Sequence, residues 1–400
     1  MRGAAVFLFI VSPLLLSAQQ PITRADAVAA ALARGARIAV GRADTTAALG
    51  GVRAARAFPN PTFSGSYSKD PPNYHALADL PLDMPWLRSP RIGAAEAARD
   101  AARYRFAYER AAIRFDVDTT YTRSLATAMH ARLSRRTADD ADSLLKIAEL
   151  RRDVGDVSEL DVRLAAVNAG QLENVALDDS LAALTTLLSL QLQMGLTGDA
   201  PAVTLRDSLV APPAPDSSLA PVSGELLPVA AAAASLRSAE RTVGFTRASL
   251  FAPSFQIGLD KGDPGSATPS QLLPVIGFSL PVPLFNWSGG EVTRATAERD
   301  RARAELDLAR RESDAAVMGA RRALAAARDR LRRSAALVES ANRVATMSLQ
   351  AYSEGAVPLA NVLEAQRNAR EIVARYIDDL AATDTAARAL RWLTTGPDEP

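Results

Sequence analysis

The chain has 400 residues, with 46 Lys and Arg against 45 Asp and Glu and a net charge of +1. That balance excludes the broad basic field a nucleic-acid binder needs. Cysteine is absent, which excludes disulfides and the lipidated cysteine of a bacterial lipoprotein. Aromatics make up only 5% and alanine is abundant, a composition suited to long, closely packed helices rather than one large globular core.

Residues 1–18 combine a basic Arg2, the apolar run VFLFIVSPLLL and small residues before Gln19, the pattern of a cleaved secretory signal. The apolar run is shorter than the ~20 residues of a membrane span. After an opening helix in ITRADAVAAALARG, the phrase FPNPTF (58–63) introduces a strand pair. Phe63 and Tyr67 alternate there with Thr62, Ser64, Ser66 and Ser68. Leu80, Leu82, Met84 and Trp86 alternate with Asp79, Pro81, Asp83 and Pro85, so a strand is expected through Trp86. Between Ala94 and Val154 there is neither proline nor glycine, which predicts one long helix. The chain reverses at Gly155. A return helix follows from about Ser158 to near Gly195, with Leu160, Leu164, Val167, Leu177, Leu181, Leu184 and Leu188 spaced as the seam of a coiled-coil partner.

The Pro-rich PPAPDSSLAP (212–221) is a linker. A helix over about 225–250 leads to a second strand pair. Phe255, Ile257 and Leu259 alternate with Ser254, Gln256, Gly258 and Asp260, and Leu272, Ile276, Phe278, Leu280, Val282 and Leu284 alternate after them. The stretch GFSLPVPLFNWSGGEV then passes from strand into helix. Pro281 and Pro283 end lateral pairing, and Asn286, Ser288, Gly289 and Gly290 let the chain redirect. A second long helix runs from Glu291 to Glu354 and turns at Gly355.

These elements repeat. AARDAAR (97–103) echoes AERDRAR (297–303), and Gly155 echoes Gly355, both at an offset of 200 residues. Pro61 and Phe63 align with Pro253 and Phe255 at an offset of 192, which places the length difference in the hairpin. One unit of helix, strand pair, long helix, turn and return helix therefore occurs twice: residues 19–200 and 225–396, joined by a linker at 201–224 and preceded by the signal at 1–18. For any one strand pair a half-buried soluble hairpin is an alternative. Four amphipathic strands in an otherwise helical chain favour membrane strands, apolar toward lipid and polar toward a lumen, with Tyr74, Trp86 and Trp287 as anchors near strand ends. Four strands cannot close a barrel, and an open edge is forbidden in lipid, so the missing strands must come from other subunits.

The phrases ITRADAVAAALARG, ARAFPNPTFSG, GFSLPVPLFNWSGGEVTRATAE and AYSEGAVPLANVLEAQRNAR, in that order and duplicated, resemble the TolC-type outer-membrane efflux factor family. The junction phrase is most similar to its heavy-metal (CzcC-like) branch. The resemblance implies a mainly α fold with a small β part: a long antiparallel α-helical barrel plus four transmembrane strands per chain, forming a 12-stranded barrel in a trimer. It implies a passive trimeric duct, the outer-membrane component of a tripartite efflux pump. Its partners would be a periplasmic adaptor (membrane fusion protein) and an inner-membrane pump of the resistance-nodulation-division type. It also assigns a tunnel entrance and adaptor contact to the turns, at Gly155, Ser158, Asp161, Gly355, Asn361 and Glu364. Family members carry acids at the position of Glu364 and usually at that of Asn361, so Asn361 weakens a cation-binding ring here.

No catalytic, cofactor or metal site is expected. Of the two histidines, His75 is placed in a hairpin loop and His130 in a helix, and two histidines, six methionines and no cysteine do not make a ligand set. The rival functions are a periplasmic adaptor, which would need a single hairpin flanked by β domains, and a structural coiled-coil envelope protein without a duct.

Overall fold

The computed structural model describes residues 20–213, 225–262, 271–283, 285 and 287–396. The expected signal, residues 214–224 of the linker, Leu284 and Asn286 lie outside the described residues. In chain order the elements are β1 (Gln20–Ile22), α1 (Arg24–Arg34), α2 (Ala36–Arg56), β2 (Thr62–Tyr67), β3 (Tyr74–Pro81), α3 (Pro85–Asp153) and α4 (Glu159–Gln193). There follow β4 (Val203–Leu205), α5 (Leu227–Ala248), β5 (Ser254–Lys261), β6 (Leu272–Ser279), α6 (Gly289–Ser353) and α7 (Leu359–Thr394). At ~1.5 Å per residue, α3 and α6, with 69 and 65 residues, are each about 100 Å long. The contacts divide the chain into two compact units.

The first unit holds the stretches up to Gly35, Ile113–Pro213 and Ala323–Arg388. Its helices pack through small side chains. Ala138 and Ala141 of α3 meet Leu172 and Ala176 of α4, and Leu144 and Ala148 meet Val162 and Ala165. The expected leucine seam of α4 is not this contact. Leu160, Val167 and Leu181 are 66%, 60% and 62% exposed, and Leu164, Leu177 and Leu184 are exposed too. Helical spacing identified an apolar stripe on α4, but α4 has two such stripes. The alanine-rich one is used inside the chain because it lets backbones approach closely. Among the described residues α4 is the one helix long and apolar enough to cross a membrane by length and composition, a consequence of the exposed leucines.

A buried charge cluster fixes the start of the described chain in this unit. Thr23 caps α1 in a reciprocal box with Asp26. The Arg24 guanidinium donates to the Thr122 hydroxyl (2.8 Å) and the Asp118 carbonyl (3.0 Å), pairs with Asp384 (3.1 Å), and lies over the Tyr121 ring. Arg388 donates to Asp384 (2.9 Å) and Asp118 (3.1 Å). The fully buried Tyr121 hydroxyl donates to the Ile22 carbonyl (3.0 Å), and β1 pairs in parallel with β4. Burial pushes the phenol of Tyr121 up to about 12. Burial also opposes ionisation of Asp384, but hydrogen bonds from Arg388 and Thr122 and the charge of Arg24 outweigh it and hold the carboxyl below its ordinary 3.8.

The second unit holds Ala36–Ala112, the stretch up to Arg322 that begins with α5, and the chain after Ala389. Its sheet has the antiparallel order β2-β3-β5-β6. Residues directly opposite share a face, so the register sorts the side chains. Phe63, Ala78, Ile257 and Ile276 form one row, Gly65, Ala76, Leu259 and Pro274 the next, and Leu80, Phe255 and Phe278 another. Tyr67, Tyr74, Lys261 and Leu272 complete this face, and Lys261 is its single charge. It is open, with Phe63 80% and Ile276 73% exposed. The other face carries Thr62, Ser64, Ser66, His75, Asp79, Ser254, Gln256 and Asp260, although Leu77, Leu273 and Val275 also lie on it.

Two expectations change here. His75 is not in the hairpin loop: it lies in β3 opposite Ser66 and Asp260, its Nδ1 3.0 Å from the Asp260 carboxylate. The loop closes earlier because the Asn73 amide donates to the carbonyls of Ser68 and Lys69. The first strand pair also ends at Pro81 rather than Trp86, and α3 begins at Pro85, nine residues before Ala94. Pro85 sits in the first turn, where a missing N–H costs nothing. Trp86 belongs to that turn. Asp83, just ahead, accepts from Arg88 (2.7 Å) and Arg91 (2.8 Å). These arginines in turn donate to the carbonyls of Arg56 (2.9 Å) and Ala55 (3.0 Å), satisfying the C-terminal end of α2.

The charge cluster gives a pH test. A carboxyl held below its ordinary value stabilises the fold above that value, and the contribution is lost as pH falls through the lowered one. Asp384→Asn should therefore lower the thermal stability of the purified protein at neutral pH by about 1.5–3 kcal/mol, the scale of a hydrogen bond to a charged group, since Arg388 keeps Asp118 and Arg24 keeps Thr122. It should also flatten the stability loss that the parent protein shows below about pH 4. Parallel melting curves for the two proteins across that range would contradict this account.

Candidate functional site

The two predicted turns are built alike. α3 ends at Asp153 and α6 at Ser353, followed by Gly155 (φ +83°) and Gly355 (φ +76°) in the left-handed region that favours glycine. Gly155 N–H donates to Arg152 and Asp156 N–H to Arg151; Gly355 N–H donates to Tyr352 and Ala356 N–H to Ala351. This paired closure satisfies the last helix carbonyls, and it recurs at an offset of 200.

The helix starts after the turns differ. Ser158 caps α4: its hydroxyl and N–H both donate to the Asp161 carboxylate (2.8 and 3.2 Å), and the Asp161 N–H returns to the Ser158 oxygen (3.2 Å). Asp161 is therefore held by its own cap. Asn361 occupies the matching place after Pro358, which has neither hydroxyl nor N–H; its backbone N–H reaches the Pro358 carbonyl (3.1 Å) and its side chain is exposed. Glu364 is exposed one turn further on, 3.9 Å from Arg367 and 3.4 Å from the Asn368 amide.

The structure brings the two turns onto one small core made by Leu144, Ala148, Val162, Ala165, Tyr352, Leu359 and Val362. A contact the sequence did not reveal ties them. The Arg151 guanidinium lies over the Tyr352 ring, 5.0 Å from its centroid, and donates to the Tyr352 carbonyl (3.0 Å). Arg151 and Tyr352 stand at positions where the two copies of the repeat differ, Ala351 replacing the arginine and Arg152 the tyrosine. That divergence was the available signal.

At the strand-to-helix junction, β6 stops at Ser279, so Pro281 and Pro283 follow the sheet rather than lie in it. Gly289 and Gly290 are the first residues of α6, and a side chain at either would meet nothing within 4 Å. The redirection occurs at Ser288, whose φ is +49° and whose carbonyl accepts from Val292 N–H (2.9 Å). Trp287 and Phe285 are exposed beside it. The turns and this junction belong to different units. Elsewhere, His130 Nε2 lies 2.9 Å from the Asp378 carboxylate. Among the described residues no group of three or more His, Asp or Glu is placed to hold a metal ion.

Residues 227–396 match the family model of the outer membrane efflux protein. The chain is 26% identical over 382 residues to the cobalt-zinc-cadmium resistance protein CzcC of Cupriavidus metallidurans, covering 92% of this chain and 89% of that protein. In fold it is similar to the CmeC outer membrane channel of Campylobacter jejuni (TM-score 0.78, 14% identity, 94% of this chain and 87% of that one). It is likewise similar to the outer membrane protein VceC of Vibrio cholerae (TM-score 0.76, 16% identity, 94% of this chain and 97% of that one).

Arg151→Ala should loosen both turns without unfolding the helices. Amide exchange over residues 351–358 should speed up by about fivefold to tenfold, the scale of one cation–π contact and one hydrogen bond. Arg151→Lys should restore little of it, because a lysine lacks the planar fork. Unchanged exchange in the alanine variant would show that the contact holds nothing.

Proposed function

We propose that this chain, which belongs to the outer membrane efflux protein family, works as a passive duct made of three copies, with its long helices in the periplasm. As a member of that family it is an outer-membrane efflux channel and not an enzyme. The observation that carries the finer reading is the four-stranded sheet, apolar over one face and unpaired at its two edges, β2 and β6. Lipid leaves no water to satisfy such edges, so each β6 must meet the β2 of another copy, and three copies supply the 12 strands of a closed barrel. The exposed leucine stripe of α4 is the helical counterpart, a face left for the neighbouring copy.

The partners are a periplasmic adaptor reaching the turns at Gly155 and Gly355 and an inner-membrane pump of the resistance-nodulation-division type. The similarity to CzcC favours heavy-metal cations as cargo, passed through rather than bound. A lone adaptor is disfavoured by the two helical repeats, and a structural coiled coil by the amphipathic sheet. Native mass spectrometry in detergent should show a trimer; a stable monomer would refute the assembly.

The turns are the resting closure, splayed when an adaptor binds the open form better. Removing the carboxylates of Asp161 and Glu364 together by alanine should raise single-channel conductance in planar bilayers and reduce block by divalent cations. Ser158→Ala is the control, since it breaks the same cap, worth about 1 kcal/mol, while keeping both charges. A double variant that conducts like the parent, or like Ser158→Ala, would leave these carboxylates as helix starts only.

A further inference from the structure

The apolar face of the sheet is not uniform. Near its hairpin end, away from the attached helices, the small residues Gly65 and Ala76 floor a hollow of about 480 Å³. Tyr67 and Tyr74, with ring centroids 5.1 Å apart, wall it on one side, and Leu259 and Leu272 on another. Lys261, exposed, stands on its lining in the row of Tyr67, Tyr74 and Leu272. The register puts these residues on the apolar face, while Ser66 and His75, which also border the hollow, belong to the opposite face. A side chain at position 65 would have free space, since its Cβ would meet only the His75 carbonyl, at 3.8 Å.

We infer that this hollow binds one acyl chain of a phosphorylated, multiply acylated glycolipid of the outer leaflet, with the Lys261 ammonium pairing a headgroup phosphate. The inference rests on the membrane reading of the sheet. Apolar walls and a small-residue floor suit a hydrocarbon chain, which gains from contact area and needs no directional partner. A single lysine at the outer rim, on a face otherwise without charge, sits at headgroup depth, where an ammonium remains solvated and attracts anionic lipid. The helices attach at the other end of every strand, so with those helices in the periplasm the hollow opens in the outer leaflet.

The test uses the full-length protein purified as its detergent-solubilised assembly, with native mass spectrometry counting retained lipid A against added phosphatidylglycerol. The parent should keep lipid A in preference. Lys261→Ala should lower retention about fivefold, the scale of one basic side chain near an anionic lipid surface. Gly65→Leu, which fills the floor, should lower it as well while leaving Lys261 in place. Recovery of both variants from the outer membrane as the parent assembly shows that the membrane reading stands whatever the lipid count. Equal lipid A retention by the parent and Lys261→Ala would overturn the inference, as would equal retention of phosphatidylglycerol by the parent. If the parent itself is not recovered from the outer membrane, the underlying reading fails instead.

Discussion

Unsatisfied backbone at a sheet edge is the constraint on which the rest of this molecule depends. In water, the outer N–H and C=O groups of β2 and β6 would find partners. In hydrocarbon each such group left bare costs several kcal/mol. With its apolar face in lipid, as proposed, the sheet cannot stop at four strands. Closure by other copies also sets a geometry for the helices, because α2, α3, α5 and α6 all leave the sheet at the same end of their strands. In the proposed assembly the exposed leucine stripe of α4 plays the same part as the sheet edges, a face for a neighbouring copy.

The internal duplication supplies the plan, and divergence between the copies supplies the specialisation. Both long helices end in the same left-handed glycine closure. Around it, the first copy caps its return helix with Ser158 and Asp161, while the second has Pro358 and Asn361 and leaves that amide exposed. The strand-to-helix junctions differ in the same manner. Asp83, Arg88 and Arg91 clamp the first, whereas the second turns through the positive φ of Ser288. Arg151 and Tyr352, each found in one copy only, join the two turns.

Much of this was legible in the sequence. The long helices announced themselves by the absence of proline and glycine, and the turns by Gly155 and Gly355. Strand alternation of period two assigned the apolar face at Phe63, Phe255, Ile257, Ile276 and Phe278, because that period is a local property. What was not legible is non-local. The clamp on α2 joins carbonyls at 55 and 56 to arginines at 88 and 91, and no spacing rule links them. The α4 leucines show helical periodicity, which reveals an apolar face but not whether the partner lies in the same chain. Alternation continued past Pro81 to Trp86 in the sequence, yet Pro85 begins a helix, because a proline at that place reads equally as a strand end or a first helical residue.

The central claim, that β6 of one copy meets β2 of the next around a closed ring, is tested most directly by crosslinking in outer-membrane vesicles. The absence of native cysteine makes this clean. A cysteine at Thr62, Ser64 or Ser66 on β2 is combined in turn with one at Leu273, Val275 or Gly277 on β6, because barrel stagger sets which pair meets across the seam. All lie on one sheet face, and the two strands are about 14 Å apart within a chain at the usual strand spacing. A bismaleimide too short for that span should give a covalent ladder that ends at three chains for at least one pair, and no ladder with either cysteine alone. Monomers only with every pair, or a ladder that continues past three, would contradict the closed trimeric barrel.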